Sequence, residues 1–442
     1  MKQRCLLRAL VGTLNHFFGG FAPLVKGVVD PRQRAKVVYP LPALLFTGML
    51  LFLFRLEARR QIGWRLRNNA IAAATFCTLW GIRSLPHGDT LEDFVGRLDP
   101  RQVREAVCLL VETLIRKKVL YGQRLLDLYY LVAVDGTGVL WFDRRHCPHC
   151  LTQTRKGVTR YYHCVLEAKL VTPAGPVFSL MSEFIENVDP AADKQDCELK
   201  AFHRLAARLK RRFPRLPISL CADGLYANGP VFDLCRRYGW RFMIVLKEGP
   251  PSVTEEFDAL SPLQPLNRLR RRAGTKLEIE QSFRWVTDID YRDGDQRRHL
   301  LNVLECLETK PDENGVLVTT RFRWVTDHPI RPARVVPLAE HGGRCRWKIE
   351  NEGFNVQKNG GYGLEHAYTH NWNSAKVYYL LLQLAHALAQ LLERGSLLRN
   401  HFPDGFGSAK NLAFLLLEAW RNQPLEVEPT TRFQIRFDFD SS

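Results

Sequence analysis

Three carboxylates in this chain stand where chemistry is readily built. Asp135 closes an apolar stretch within Leu126–Phe142 ("LDLYYLVAVDGTGVLWF") and is followed by Gly136. Asp223 repeats the arrangement in "ISLCADG", again after an apolar run and again before a glycine. Glycine lets the backbone turn away where a metal and a phosphate must approach closely. Carboxylates at strand ends are held rigidly, and open α/β sheets build their sites there. Glu350 falls one helical turn after Arg346, so the two project from one face. Three such acids from separate segments can hold two divalent ions about 4 Å apart, which clamp the attacking and leaving oxygens of a phosphoryl displacement. Magnesium or manganese suits oxygen ligands of this kind. Arg346 can neutralise charge near the scissile phosphate. The plainer alternative is that a strand-end Asp-Gly is only a turn, and spacing alone does not decide.

A second group has different chemistry. "HCPHC" at His146–Cys150 places Cys147 and Cys150 two residues apart, with His163 and Cys164 further on. Cys147, Cys150 and His163 can provide most of a tetrahedral structural zinc site. A hairpin tip with incidental Cys and His is the other reading. Asp193, Asp196 and Glu198 open a helix, where acids favour the macrodipole. His366 and His370 follow a Gly-rich break and suit either DNA contact or plain surface.

These groups need elements to hold them. The first 122 residues read as helical, with Val103, Val107, Leu110, Val111 and Leu114 at helical spacing. Arg55, Arg59, Arg60, Arg65 and Arg67 there suit a phosphate backbone or a solvated helix face equally. Residues 123–249 alternate strand-like runs (163–171, 176–181, 217–222, 241–246) with helices at 196–213 and 230–238, which suits a mixed α/β sheet covered by helices. Residues 250–344 read as a β-rich insertion, and FRWVTD occurs in it twice, at Phe283–Asp288 and Phe322–Asp327. Two copies suggest two similar strands or a coincidence. Residues 345–422 return to helix, including the apolar stretch 375–392, and 423–442 read as a polar tail expected to be partly unstructured.

The formal net charge is +17, with 63 Lys and Arg against 46 Asp and Glu. That excess points to a polyanion, with nucleic acid first. The most apolar stretch, Leu41–Phe54, is shorter than the roughly 20 residues of a bilayer span, so it is expected to be a buried helix. No signal peptide is read at the start, and the scattered cysteines are expected to be reduced thiols in a cytoplasmic, nucleoid-associated protein.

The segments "AVDGTGV" (Ala133–Val139), "CADGLYAN" (Cys221–Asn228) and "RCRWKIENEGFNVQKNGGYGLEH" (Arg344–His366) resemble bacterial insertion-sequence transposases of the DDE superfamily. The branch is the one with a Tyr-Arg-Glu-Lys signature and a β insertion. The resemblance spans roughly residues 125 to 395, and its third motif is the most specific. It implies a ribonuclease-H-like core in which Asp135, Asp223 and Glu350 are the catalytic metal ligands and Arg346 is the signature arginine. The signature tyrosine falls on Gly343 and the lysine on Gln357, with Lys358 next to it as the substitute DNA contact. Glu352 lies about 200° around the helix from Glu350 and faces elsewhere. An aromatic of the β insertion, Trp324 or Trp285, is implied to touch DNA by stacking. The family further implies metal-dependent cleavage of transposon ends in duplex DNA, strand transfer into target DNA and a homodimer; the shortness of Leu41–Phe54 is what argues for no membrane partner. A domesticated nuclease, a DNA-binding copy without turnover and a zinc-stabilised structural protein are the competing expectations.

Overall fold

Buried runs such as Leu131–Val134 and Ile218–Ala222, the latter apolar except for Ser219, belong to strands covered on both faces, and both lie inside one large sheet. The computed structural model describes residues 2–187, 194–246, 251–274, 278–426, 431 and 433–437. Its strands are β1 (Tyr130–Phe142), β2 (Leu151–Arg155), β3 (Val158–Val171), β4 (Val177–Ile185), β5 (Ile218–Ala222), β6 (Arg241–Val245), β7 (Arg268–Ala273), β8 (Ile279–Arg292), β9 (Arg298–Pro311) and β10 (Leu317–Thr326). The order is β2-β3-β1-β5-β6-β10-β9-β8-β7, with β4 also paired to β3. β1, β5 and β6 run parallel, and every other pairing is antiparallel. The protein is therefore of mixed α/β class.

Helices cover both faces. On one face, Cys221 Sγ lies 3.8 Å from the Gly342 carbonyl, and Lys169 Nζ donates to Gln383 of helix Trp372–Glu393. On the other, helix Glu198–Arg212 lays Arg204 and Arg208 on Glu183, and helix Gly229–Tyr238 stacks Phe232 on Phe242. The expected helices at 196–213, 230–238 and 375–392 thus appear within a few residues of their expected ends.

The expected β insertion is continuous with the core, because β10 pairs with β6. The repeated hexapeptide gives two strands that flank β9 in the same register. Phe283 and Phe322 both face Cys306, and Trp285 and Trp324 both face Leu304. Between them, Arg284 and Arg323 both reach the fully buried Glu305, and both also meet Asp258. The repeat therefore supplies two cations to one buried carboxylate.

Leu41–Leu53 is a buried helix, as expected. Gly48 lets it lie against helix Trp372–Glu393, since a Cβ there would be 2.6 Å from Leu381 Cδ1. Among the described residues no helix is long and apolar enough to cross a membrane. Part of the tail is bound rather than loose. Phe433 packs beside Gly12, and Phe437 bridges to Gly395. Residues 427–430, 432 and 438–442 lie outside the described residues, as does Asp193.

Candidate active site and metal centre

The sheet register brings the two aspartates together. Ala133 lies beside Cys221 at the end of the parallel β1–β5 pairing, and Asp135 and Asp223 each follow two residues later. Adjacent strands lie about 4.8 Å apart, so both acids emerge at the same edge. Asp223 ends its strand and braces the turn after it, its Oδ1 accepting from the Leu225 amide at 3.0 Å. Asp135, expected at a strand end, instead lies within β1, which runs on to Phe142, and its Oδ1 accepts from the Gly136 amide at 2.9 Å.

Arg346 and Glu350 reach that edge from the opposite segment, as the one-turn spacing implied. The backbone changes from a 3-10 turn, Gly343–Trp347, to a π-helical turn, Ile349–Asn355. Such irregular turns recur at functional sites. The buried Arg346 guanidinium lies 3.3 Å from Glu350 and 3.7 Å from Asp135. Glu352 turns away, as expected, and pairs with Lys348 at 3.4 Å.

A fourth carboxylate, not anticipated from sequence, joins them. Glu198 opens its helix on the far face of the sheet, and a Cβ at Gly136 would be 2.9 Å from Glu198 Oε2. Gly136 thus makes room for Glu198 itself. The buried Tyr226 hydroxyl donates to Glu198 Oε1 at 2.7 Å. Helix-start position alone had explained Glu198. The only sequence signal for its role is Tyr226 within the "CADGLYAN" segment.

The electrostatics follow. The Asp135 carboxyl is pushed up to about 7, chiefly by burial and then by Glu350, with Arg346 pulling it down and Glu198 and Asp223 adding to the rise. Burial also raises Glu198, with Asp223 adding and the Tyr226 hydrogen bond opposing. One arginine does not compensate this excess of negative charge. An all-oxygen donor set with surplus charge fits a hard divalent cation. Among the described residues, however, these acids do not draw three ligand oxygens within 4.8 Å of one another, and Arg346 bridges Asp135 and Glu350.

Three expected DNA contacts need correction or qualification. Trp324 is 2% exposed and Trp285 is 3% exposed, so neither offers a free face to a base. Both are buried because the repeat faces them into the sheet's covering layer. A Cβ at Gly343 would fall 2.4 Å from the Trp324 indole, so Trp324 fills the space that a side chain at 343 would need. Trp347 and Trp141, at 51% and 44% exposed, are the open indoles on the site's own segments. Lys358 pairs with Glu365 at 2.7 Å. Gln357 is wholly buried and donates to Gln383 and His386. In the N-terminal basic group, Arg55 and Arg59 bind the carbonyls of Gly360 and Tyr368, leaving Arg60, Arg65 and Arg67 exposed.

The thiol–imidazole cluster does assemble. Cys147 Sγ and Cys150 Sγ lie 3.7 Å apart, and His163 Nε2 lies 3.4 and 3.6 Å from them. These three residues can hold a metal ion. Burial holds the His163 imidazole down at about 4, so it is neutral near pH 7, as a ligand must be. Its ring stacks on Trp372 at 3.8 Å. His146 and His149 are engaged with the carbonyls of His370 and Asn187. His370 thus contributes its backbone, while its ring and that of His366 remain at the surface.

No protein-family model matches the chain, and no curated protein matches it. What the fold and the sites define is a mixed α/β protein with carboxylates gathered where its parallel strands end and a separate Cys2His cluster.

Proposed function

We propose that this chain is a DNA transposase of the DDE type, cleaving transposon ends and transferring strands into target DNA. The observation that carries the reading is that Asp135 and Asp223 each lie two residues past the parallel pairing of β1 with β5, with Arg346 spanning from Asp135 to Glu350 beside them. The strand order β4-β3-β1-β5-β6, an antiparallel meander followed by two parallel strands, supports a ribonuclease-H-like core. The net charge of +17 supports DNA as the partner.

In this reading Asp135, Asp223 and Glu350 hold two magnesium or manganese ions. Bound there, such ions supply Lewis acidity and a water of lowered pKa. Asp135 would hold such an ion as its carboxylate. Arg346 exchanges a carboxylate for a phosphate oxygen and so orients the scissile group. Gly136 and Tyr226 fix Glu198 behind the two aspartates, and burial, with Glu350 next, favours the neutral form of Asp135. The Cys147–Cys150–His163 cluster takes a structural zinc ion, apart from the reaction. The protein works as a homodimer on paired ends, in the cytoplasm beside the nucleoid.

A second reading, a DNA-binding protein without turnover, is favoured by one observation: Arg346 occupies the gap that the ions would need. The test is nicking of supercoiled or end-bearing DNA with magnesium or manganese, comparing the parent with Asp135→Ala, Asp223→Ala and Glu350→Ala. Metal-dependent nicking lost in all three with DNA binding retained upholds the transposase reading. Variants that cut like the parent overturn the site. A parent that binds its cognate ends and never cuts them moves the second reading ahead.

A further inference from the structure

Beyond Ala133 the parallel pairing of β1 with β5 stops, but β1 and β3 continue together to Phe142 and Tyr161. The sheet therefore overhangs the carboxylate edge as a ribbon, extended on its outer side by β2. Its tip is a two-residue turn, Lys156-Gly157, in which both residues have positive φ (49° and 77°). That is the twist-matched hairpin turn. A ribbon this narrow is marginal in water without further support.

Its charge is one-sided. From Arg144 to Leu166 the sequence holds no acid, and Arg144, Arg145, Arg155, Lys156 and Arg160 are all exposed. None of these five pairs with a carboxylate among the described residues; Arg145 lies over the Tyr161 ring at 5.6 Å. The exposed Trp141 stacks on Tyr162 at the ribbon's base, at 4.8 Å. Tyr162 itself feels charge from both sides, Glu198 raising and Arg155 lowering its hydroxyl after burial and Cys164.

The Cys2His cluster closes this ribbon. Zn–S of about 2.3 Å and Zn–N of about 2.0–2.1 Å in a tetrahedron separate two sulfurs by about 3.8 Å and sulfur from nitrogen by about 3.5 Å. The separations here are 3.7 Å, and 3.4 and 3.6 Å. A disulfide would bring the sulfurs to about 2.05 Å. The cluster ties the β1–β2 connection to β3, and His146 and His149 beside it are the residues from which a fourth ligand would come.

We propose that Cys147, Cys150 and His163 hold a zinc ion that fixes this ribbon beside the carboxylate edge, and that the ribbon's basic strip guides the backbone of duplex DNA into the site. The partner rests on the DNA reading above; the zinc does not. The test uses the full chain, purified without chelator. Zinc is measured by atomic spectroscopy, and affinity for a short duplex of arbitrary sequence is measured across a salt series. One zinc per chain is expected, lost in Cys147→Ser/Cys150→Ser. Arg155→Gln/Lys156→Gln/Arg160→Gln should keep zinc and reduce the slope of log affinity against log salt by about 2.7, at about 0.9 per phosphate contact. A chain without zinc, or a triple variant with the parent's slope, overturns the proposal. Should the slope and zinc behave as expected while the parent cuts no DNA, the carboxylate reading fails alone. Should the carboxylate variants lose cutting while the triple variant binds like the parent, the ribbon proposal fails alone.

Discussion

Asp135→Asn should make the metal-free protein more stable above pH 7. The folded carboxyl is raised from its ordinary 3.8 to about 7. A raised acid binds its proton more tightly in the folded chain, so stability falls as pH climbs from about 4 to about 7 and is lowest above that. The rise corresponds to about 4 kcal/mol, at about 1.4 kcal/mol per pH unit. Its side chain is 18% exposed, so solvent screening removes little of this. Asparagine keeps an acceptor for the Gly136 amide and cannot charge. At about 2.1 cal/mol/K per residue, 442 residues unfolding together change entropy by about 0.9 kcal/mol/K, so about 4 kcal/mol is about 4 °C. Thermal melts in EDTA should show the variant about 4 °C above the parent at pH 8, with the gap closed at pH 4. Magnesium should then raise the parent's Tm at pH 8 more than the variant's, because a ligand stabilises the state that binds it. A variant that melts at or below the parent at pH 8 would refute the crowding of charge around Asp135.

Gly343→Tyr, which restores the residue type of the transposase signature, should lose at least 1–3 kcal/mol in urea unfolding, because Trp324 already fills that space. Glu305→Gln should cost about 3–5 kcal/mol, since it leaves the buried Arg323 and its twin Arg284 short of a charge. Trp324→Ala should cost about 3–5 kcal/mol as a core truncation. Trp347→Ala, at an exposed indole, should stay within about 0.5 kcal/mol of the parent; the two melts together separate a packing tryptophan from an open one.

The strands that carry Asp135 and Asp223 were legible as local apolar runs; the Asp-Gly end holds for β5, whereas β1 runs on through Asp135-Gly136 to Phe142 because β3 keeps pairing with it. Arg346 and Glu350 were legible because helical spacing sets which side chains meet, and the i, i+4 contact survives the change from 3-10 to π geometry. Glu198 was not, because its approach depends on a helix crossing the opposite face of the sheet and on Gly136 lacking a Cβ. Trp324 was misjudged for a related reason. Its exposure depends on which strands flank β9, and that pairing joins residues far apart in sequence. The Cys2His cluster lay between these cases: Cys147 and Cys150 are close in sequence, but it is the β2–β3 hairpin, pairing Leu151 with Tyr162, that returns His163 to them.

The N-terminal helices bear on the site through one side chain. Arg55 ends the buried helix Leu41–Leu53 in a left-handed conformation, with φ of 52°. Its guanidinium donates to the carbonyls of Phe52 and Gly360 and lies over the buried Tyr362 ring. Gly360 and Tyr362 belong to the break that follows the Glu350 turn, so the first and last helical layers grip that break from one point. A π turn has poorer geometry than an α-helix and needs tertiary support to persist. Arg55 supplies it on one side, and on the other Lys169 packs under Gly353 within the turn itself. Glu350 is therefore held by packing on both flanks rather than by its own helix, which makes the position of this carboxylate a property of the whole chain.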